Sequence, residues 1–336
     1  MLRLNIFYEE PDPDRWFKYD RYPRKLIRRF IRGRQRPGGV MMVAINLLKG
    51  LDRLDIPYRF NDFKYASKHP KEIVCIIGKP QVLFDRQWKN PIILGAGIFS
   101  HPFDYQDIFE QYPNLKKILV PGEWMRQMFE PYYADKVMTC PSGIDTAYWK
   151  PTTVAPEKNI LIYDKLRPDH DEYIDTILHP VLEFIKANKL SYEYIQYGYY
   201  KPQELLNKVN NCQYAIFLSE NETQGLAYQQ ILATGTPVLA WDRGGLWKDP
   251  AFYPHKVQFS GVSSVPYWSR ECGMKFKNIH EFYTIIPQFT TALENNEFAP
   301  RQYILDNLTL EKCATAYINI IKNEYSQIGQ IQQNSL

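Results

Sequence analysis

Apolar residues recur along this chain in two alternating modes: short continuous runs and longer stretches with helical spacing. The runs Leu2 to Tyr8, Pro57 to Phe60, Ile73 to Ile77, Ile92 to Ala96 and Ile118 to Pro121 read as strands. After the first of them, Val40, Val43, Ala44, Leu47, Leu48 and Leu51 fall at i, i+3, i+4, i+7, i+8 and i+11, the spacing of a helix with one buried face. Strands joined through helices pair in parallel, so the pattern predicts an α/β domain. Periodicity stops at Cys140 to Pro151, CPSGIDTAYWKP, where two prolines, a glycine and polar residues read as a linker. It restarts with strands at Asn159 to Tyr163, Tyr192 to Tyr197, Tyr214 to Leu218 and Pro237 to Trp241, and helices at Tyr173 to Ala187, Pro202 to Val209 and Leu226 to Thr234. The organisation expected is a first domain at 1–150, a second at 151–305, and a helix within 306–336 that packs back on the first. Thr309 is the expected cap of that helix, with Cys313, Tyr317 and Ile320 or Ile321 on one face.

At 336 residues the chain exceeds what one core usually holds, and its 45% hydrophobic and 23% charged residues exclude disordered, collagen-like and coiled-coil classes. The net charge of +4 is unevenly placed. Arg24, Lys25, Arg28, Arg29, Arg32, Arg34 and Arg36 put seven positive charges and no acid between Pro23 and Arg36, and the other 34 basic residues face 37 acidic ones. A mildly acidic body with one basic patch argues for a local anionic partner and against nucleic acid. The patch lies in an insert at 11–36 whose segment Pro23 to Arg32 is amphipathic, with Leu26, Ile27, Phe30 and Ile31 on one face. Arg24, Arg28, Arg29 and Arg32 around that face suit an anionic membrane or an anionic acceptor; a docked helix with a solvated basic face is the alternative. Five scattered cysteines without a CxxC pair speak against a disulfide framework or a zinc site. With no signal-peptide pattern and no run near the roughly 18 apolar residues of a spanning helix, a cytoplasmic location is expected, peripheral on the cytoplasmic membrane face.

Candidate chemistry concentrates in Ser219 to Gly245, SENETQGLAYQQILATGTPVLAWDRGG. A strand ends, a loop carries acids and Gly225, and a helix follows; open α/β sheets bind ligands at such strand ends, and a helix N-terminus there holds phosphate. An ordinary strand-loop-helix with a solvated acidic loop is the alternative reading. The segment resembles the donor-site signature of the retaining GT-B glycosyltransferases of group 1 (family four), which has two glutamates separated by seven residues and then a small residue, Gly and Pro-Val. Glu222 matches the first acid, Thr223, Gln224, Gly225 and Leu226 the loop after it, and Ala233, Gly235, Pro237 and Val238 the downstream frame. Gln230 replaces the second acid and keeps hydrogen-bonding capacity without the charge.

Other segments fit the same family in order. Arg36-Pro-Gly-Gly-Val40, with Gly38 and Gly39, is similar to its glycine-rich loop facing the donor phosphates, and Pro141-Ser-Gly-Ile-Asp145 to its interdomain Pro-Asn-Gly-Val-Asp. In NILIYDKLR, Lys165 holds the place of the family's phosphate-binding Arg and His170 that of its Lys, with Arg167 nearby. His101, after the strand Ile92 to Ala96, matches a His that approaches the donor sugar.

The resemblance implies two Rossmann-like domains with parallel sheets facing a central cleft. It implies a retaining, metal-independent hexosyl- or related glycosyltransferase whose co-substrate is a nucleotide-diphosphate sugar, with no further cofactor. Its acceptor would be a glycan or lipid-linked hydroxyl. Glu222 and His101 would act on the sugar, and Lys165, Arg167, Gly38, Gly39, Gln230 and the loop Thr223 to Leu226 on the rest of the donor. A non-catalytic nucleotide-sugar or glycan binding protein on the same scaffold is the alternative. The segment Ser263 to Gly273, SSVPYWSRECG, is assigned either to sugar or base contact or to a packed surface loop.

Overall fold

The computed structural model describes residues 4–10, 14–17, 19–32, 38–95, 99–166 and 170–334, with side chains described except at 25, 28–32, 170 and 328–334. Among them, eleven strands form two sheets in which every pairing is parallel. The chain divides into two units. One comprises Met1–Val120, Tyr132–Cys140 and Ala314–Leu336; the other comprises Pro121–Pro131 and Pro141–Cys313.

The first unit holds β1 (Leu4–Phe7), β2 (Tyr58–Phe60), β3 (Val74–Ile76), β4 (Ile92–Gly95), β5 (Leu115–Val120) and β6 (Val137–Thr139), in the order β2-β1-β3-β4-β5-β6. Helix α1 (Arg21–Arg32) and helix α2 (Gly39–Arg53) lie between β1 and β2 in the chain. Alternate residues of the strands, Leu4, Ile6, Cys75 and Ile93 among them, share a core with Ala44 and Leu51 of α2.

The second unit holds β7 (Lys158–Lys165), β8 (Tyr192–Gln196), β9 (Cys212–Ser219), β10 (Val238–Trp241) and β11 (Gly273–Phe276), in the order β11-β10-β9-β7-β8. Its central strands are apolar at nearly every position because the sheet is covered on both faces. Leu161 and Tyr163 of β7 join Ala215 and Phe217 of β9 in one core layer, whereas Ile160 and Ile162 join Tyr214, Ile216 and Leu218 in the other. Helix α3 (Leu226–Ala233) follows β9 and buries Tyr228, Ile231 and Leu232 in the first of these layers.

After the excursion of Pro121–Pro131, the chain re-enters the second unit at Pro141 and stays there to Cys313, whereas the sequence pattern places the boundary at 150. The cause is local: Ile144 makes a bridge to Thr309, and Trp149 packs in the second unit's core. The last helix, α4 (Leu310–Asn334), begins in that unit and belongs to the first from Ala314 onward. Its cap is as expected, the Lys312 amide donating to Thr309 Oγ1 at 3.2 Å. Tyr317, Ile318, Ile320 and Ile321 then enter the first unit's core. All five cysteines are free and buried. No helix among the described residues is long and apolar enough to cross a membrane.

Ile321 is fully buried in the first unit's core although more than 180 residues separate it from the nearest strand of that unit's sheet. Ile321→Ala should therefore destabilise that unit by about 2–5 kcal/mol, read as a lower midpoint in urea unfolding.

Candidate functional site

In the second sheet the chain steps from β7 to β8 on one side and then returns to β9 on the other. At this switch between β7 and β9 the connections leave to opposite sides, the position at which open α/β sheets bind their ligands. The register pairs Lys165, the last residue of β7, with Ser219, the last residue of β9. Glu222 follows three residues later. Lys165 Nζ donates to both its carboxylate oxygens, at 2.7 and 2.8 Å, and Ser219 Oγ donates to Oε1 at 3.0 Å. The Lys165 ammonium also lies 4.5 Å from the centroid of the Tyr197 ring, at the end of β8.

The backbone of Glu222 is clamped on both sides. Its amide donates to Ser263 O at 2.9 Å, and its carbonyl accepts from Trp124 Nε1 at 2.8 Å. Trp124 is buried, and its ring stacks on Phe259. A buried carboxylate is thus held in place and charge-matched by residues from four separate stretches of chain. Near it, Tyr163 and Tyr200 share a hydroxyl hydrogen bond of 2.9 Å; burial foremost, with the Glu222 charge contributing, pushes the Tyr200 phenol up to about 12. Tyr200 is neutral at ordinary pH.

The loop after Glu222 turns into α3 through Gly225, whose φ of 72° lies in the left-handed region. A Cβ there would come within 2.1 Å of Tyr228 Cε1, so only glycine fits. No side chain among the described residues caps this helix start. Its first amides are free to meet an anion. Gln224, expected at the donor, is instead buried: its Oε1 accepts from the Ser142 amide at 2.9 Å, and its carbonyl accepts from Gln229 Nε2 at 2.7 Å. It holds the loop to the segment that opens the second unit. Gln230 is half-buried, and its side chain has no hydrogen-bond partner among the described residues. Thr223 is exposed and Leu226 half-buried, packed against the core layer.

A second ion pair flanks the first. Arg243, just beyond β10, pairs with Glu220 and also donates to the carbonyls of Gly244 and Leu246, each at 2.9 Å. Asp242 beside it accepts from the Ser264 amide at 2.8 Å, Ser263 Oγ at 3.1 Å and Lys275 Nζ at 2.8 Å. The segment Ser263 to Gly273 is thereby built into the unit; Tyr228 Oη accepts from the Tyr267 amide and donates to the Tyr267 carbonyl, both at 2.9 Å. Ser219, Glu220, Tyr197, Arg243 and Trp124 were not among the residues singled out from sequence. For the first four the available signal was position, since each lies at or just past the carboxyl end of a strand.

The remaining sequence candidates belong to the first unit or fall outside the described residues. Arg167 is outside the described residues, as are the side chains of Arg28, Arg29, Arg32 and His170. His101 belongs to the first unit and is buried, its Nδ1 accepting from the Phe103 amide at 3.0 Å to cap a short 3-10 turn, Pro102–Tyr105. Burial pushes its imidazole down to about 4, so it is neutral at pH 7. Gly38 and Gly39, also in the first unit, stand at the start of α2 with open space where a Cβ would be. Arg24 is turned inward, its guanidinium 3.3 Å from Asp20, because burial near a carboxylate is its best neutralisation. It is not presented to an acceptor.

Comparison with known proteins finds no protein family and no curated protein that matches this sequence. Solved structures do match in fold. The lipopolysaccharide outer core galactosyltransferase WaaB, in its apo form, is similar over 96% of this chain and 100% of its own, at 10% identity and a TM-score of 0.52. The structure of accessory secretory protein 1, 2 and 3 from Streptococcus pneumoniae is similar over 79% of this chain, at 14% identity and a TM-score of 0.50. This chain spans 56% of that second structure's length. The fold is GT-B, two Rossmann-like domains each built on a parallel sheet.

Two outcomes follow for the residues that shape these loops. Gly225→Ala forces the left-handed conformation on an L-residue and drives a methyl into Tyr228; a loss of about 2 kcal/mol or more in thermal unfolding is expected. For His101, the unfolded chain takes up the proton near pH 6.5 and the folded chain only near 4. Between those values the unfolded state holds more protons, so stability falls as pH falls. Denaturation series should show wild type losing up to about 3 kcal/mol more across this window than His101→Asn, which keeps an acceptor for the Phe103 amide but does not titrate.

Proposed function

We propose that this chain is a glycosyltransferase that moves a sugar from a nucleoside-diphosphate donor to a hydroxyl acceptor, with retention at the anomeric carbon. The observation that carries the proposal is the Lys165–Glu222–Ser219 cluster at the switch between β7 and β9, beside the uncapped start of α3. The chemistry required is modest. As the bond from the anomeric carbon to the diphosphate oxygen stretches, negative charge grows on the leaving group, and fixed positive charge there lowers the barrier. Lys165 and the α3 amides provide it, with Arg167 adjacent in sequence, so the chain's own groups serve the leaving diphosphate. Glu222, once Lys165 turns to phosphate, accepts hydrogen bonds from sugar hydroxyls and orients the ring. Gln230, half-buried on α3 with no hydrogen-bond partner among the described residues, is the group we assign to the ribose.

The similarity of fold to a protein named as a galactosyltransferase supports sugar transfer in general; the cluster supports the donor class. One observation favours a second reading, donor binding without turnover. Where the resembling family has a second acid, this chain has the amide Gln230.

The test is release of nucleoside diphosphate across a panel of nucleotide sugars and hydroxyl acceptors, with calorimetric titration of the same donors. Glu222→Gln keeps an acceptor for Ser219 but removes the charge, and is expected to lower kcat/KM by about 100-fold or more in a folded protein; Lys165→Met should do the same while also weakening donor binding. Turnover unchanged in both variants would remove the site, and donor binding without release across the panel would establish the second reading.

A further inference from the structure

The first unit contains a helix that is inside out for a soluble protein. In α1 the apolar side chains of Leu26 and Ile27 point to solvent, 59% and 55% exposed, whereas an amphipathic surface helix ordinarily buries such residues. Its arginines do the anchoring. Arg21 reaches Asp85 at 2.7 Å and Asp14 at 3.4 Å, and Arg24 reaches Asp20 at 3.3 Å. The turn leading into the helix presents Trp16 at 76% and Phe17 at 65% exposure. That turn is not slack. Asp20 accepts from the Arg15 and Trp16 amides, both at 3.0 Å, and Asp14 accepts from the Tyr19 amide at 2.8 Å. Tyr19 and Tyr22, also exposed, extend the same aromatic and aliphatic surface.

Charge identifies what covers it. Beyond the two anchored arginines, α1 carries Lys25, Arg28, Arg29 and Arg32 and no acidic residue. A second copy docked about a two-fold axis would set these cations against themselves. A bilayer with anionic headgroups satisfies both requirements, taking the cations at its phosphates and the Trp, Phe, Leu and Ile side chains at the acyl boundary. Tryptophan and tyrosine favour that depth, being apolar with a polar tip. At 12 residues, α1 is about 18 Å long, suited to lying in the interface and too short to span it. We propose that the turn at Trp16 and Phe17 together with α1 is an interfacial docking surface for anionic lipid bilayers.

The experiment is flotation of the full chain with vesicles of phosphatidylcholine alone and of phosphatidylcholine mixed with phosphatidylglycerol, at low and raised salt. Co-flotation with the mixed vesicles only, weakening with salt, is expected. The exposed-residue variant Trp16→Ser/Phe17→Ser/Leu26→Ser/Ile27→Ser should lose it, and Lys25→Gln/Arg28→Gln/Arg29→Gln should lower the partition coefficient on the order of a hundredfold. Circular dichroism confirms that each is folded, and the second variant keeps the test open if the first is not. Equal binding to both vesicles, binding to neither, or binding undiminished in a folded variant would overturn the proposal. So would a concentration-dependent dimer in vesicle-free buffer that the serine variant abolishes. None of these readouts involves turnover, so they stand apart from the glycosyl-transfer reading.

Discussion

A carboxylate buried at the rim of a sheet stays charged only if a cation is held against it, and the register of β7 and β9 is what brings Lys165 to Glu222. Much of the second unit is arranged around that pair. Parallel strands end at one level, so the last residues of adjacent strands are neighbours however far apart they stand in the chain. Ser219 adds a hydroxyl from one strand end, Tyr197 an aromatic face from another, and Ser263 and Trp124 fix the Glu222 backbone from two further segments. The Trp124 contact also accounts for the grouping of Pro121–Pro131 with the second unit, although the strand before it belongs to the first.

Most strands and the principal helices were legible because a sheet covered on both faces writes itself as unbroken apolar runs. The misses have physical causes. β6 is three residues with a single buried side chain, too short for any periodicity to register. β11 begins at a glycine and alternates weakly as an edge strand. At the site, Glu222 and Lys165 were readable from their motif and strand ends, but their mutual contact depends on register, which a single strand does not encode. Gln224 shows the converse: its place in the motif suggested a ligand contact, yet it is spent on Ser142, a partner more than eighty residues earlier.

Helix α1 makes the same point about polarity. Periodicity located a stripe of apolar residues in Pro23 to Arg32, but a stripe has no inside until something packs beside it. Asp14, Asp20 and Asp85 decide the question, because their ion pairs turn the Arg21 and Arg24 guanidiniums toward the protein. The basic residue first in the patch, Arg24, therefore serves the fold.

The two ion pairs on the Ser219 to Glu222 loop, Lys165 with Glu222 and Arg243 with Glu220, are each neutral as pairs. A nucleoside diphosphate would bring negative charge into the site, and a closed pair cannot neutralise that without opening. Of the two, Lys165 is the one free to turn. Its ammonium is a compact charge on a flexible stem with no backbone contacts among the described residues, whereas the Arg243 fork is tied to two carbonyls as well as to its acid. When Lys165 turns, Glu222 loses its cation and needs other donors, and Ser219 alone supplies only one. Under the proposed function, sugar hydroxyls are the donors that arrive with the diphosphate, so the pair would couple recognition of the two halves of one ligand: the phosphate would be bound well only if something also came to cover the carboxylate.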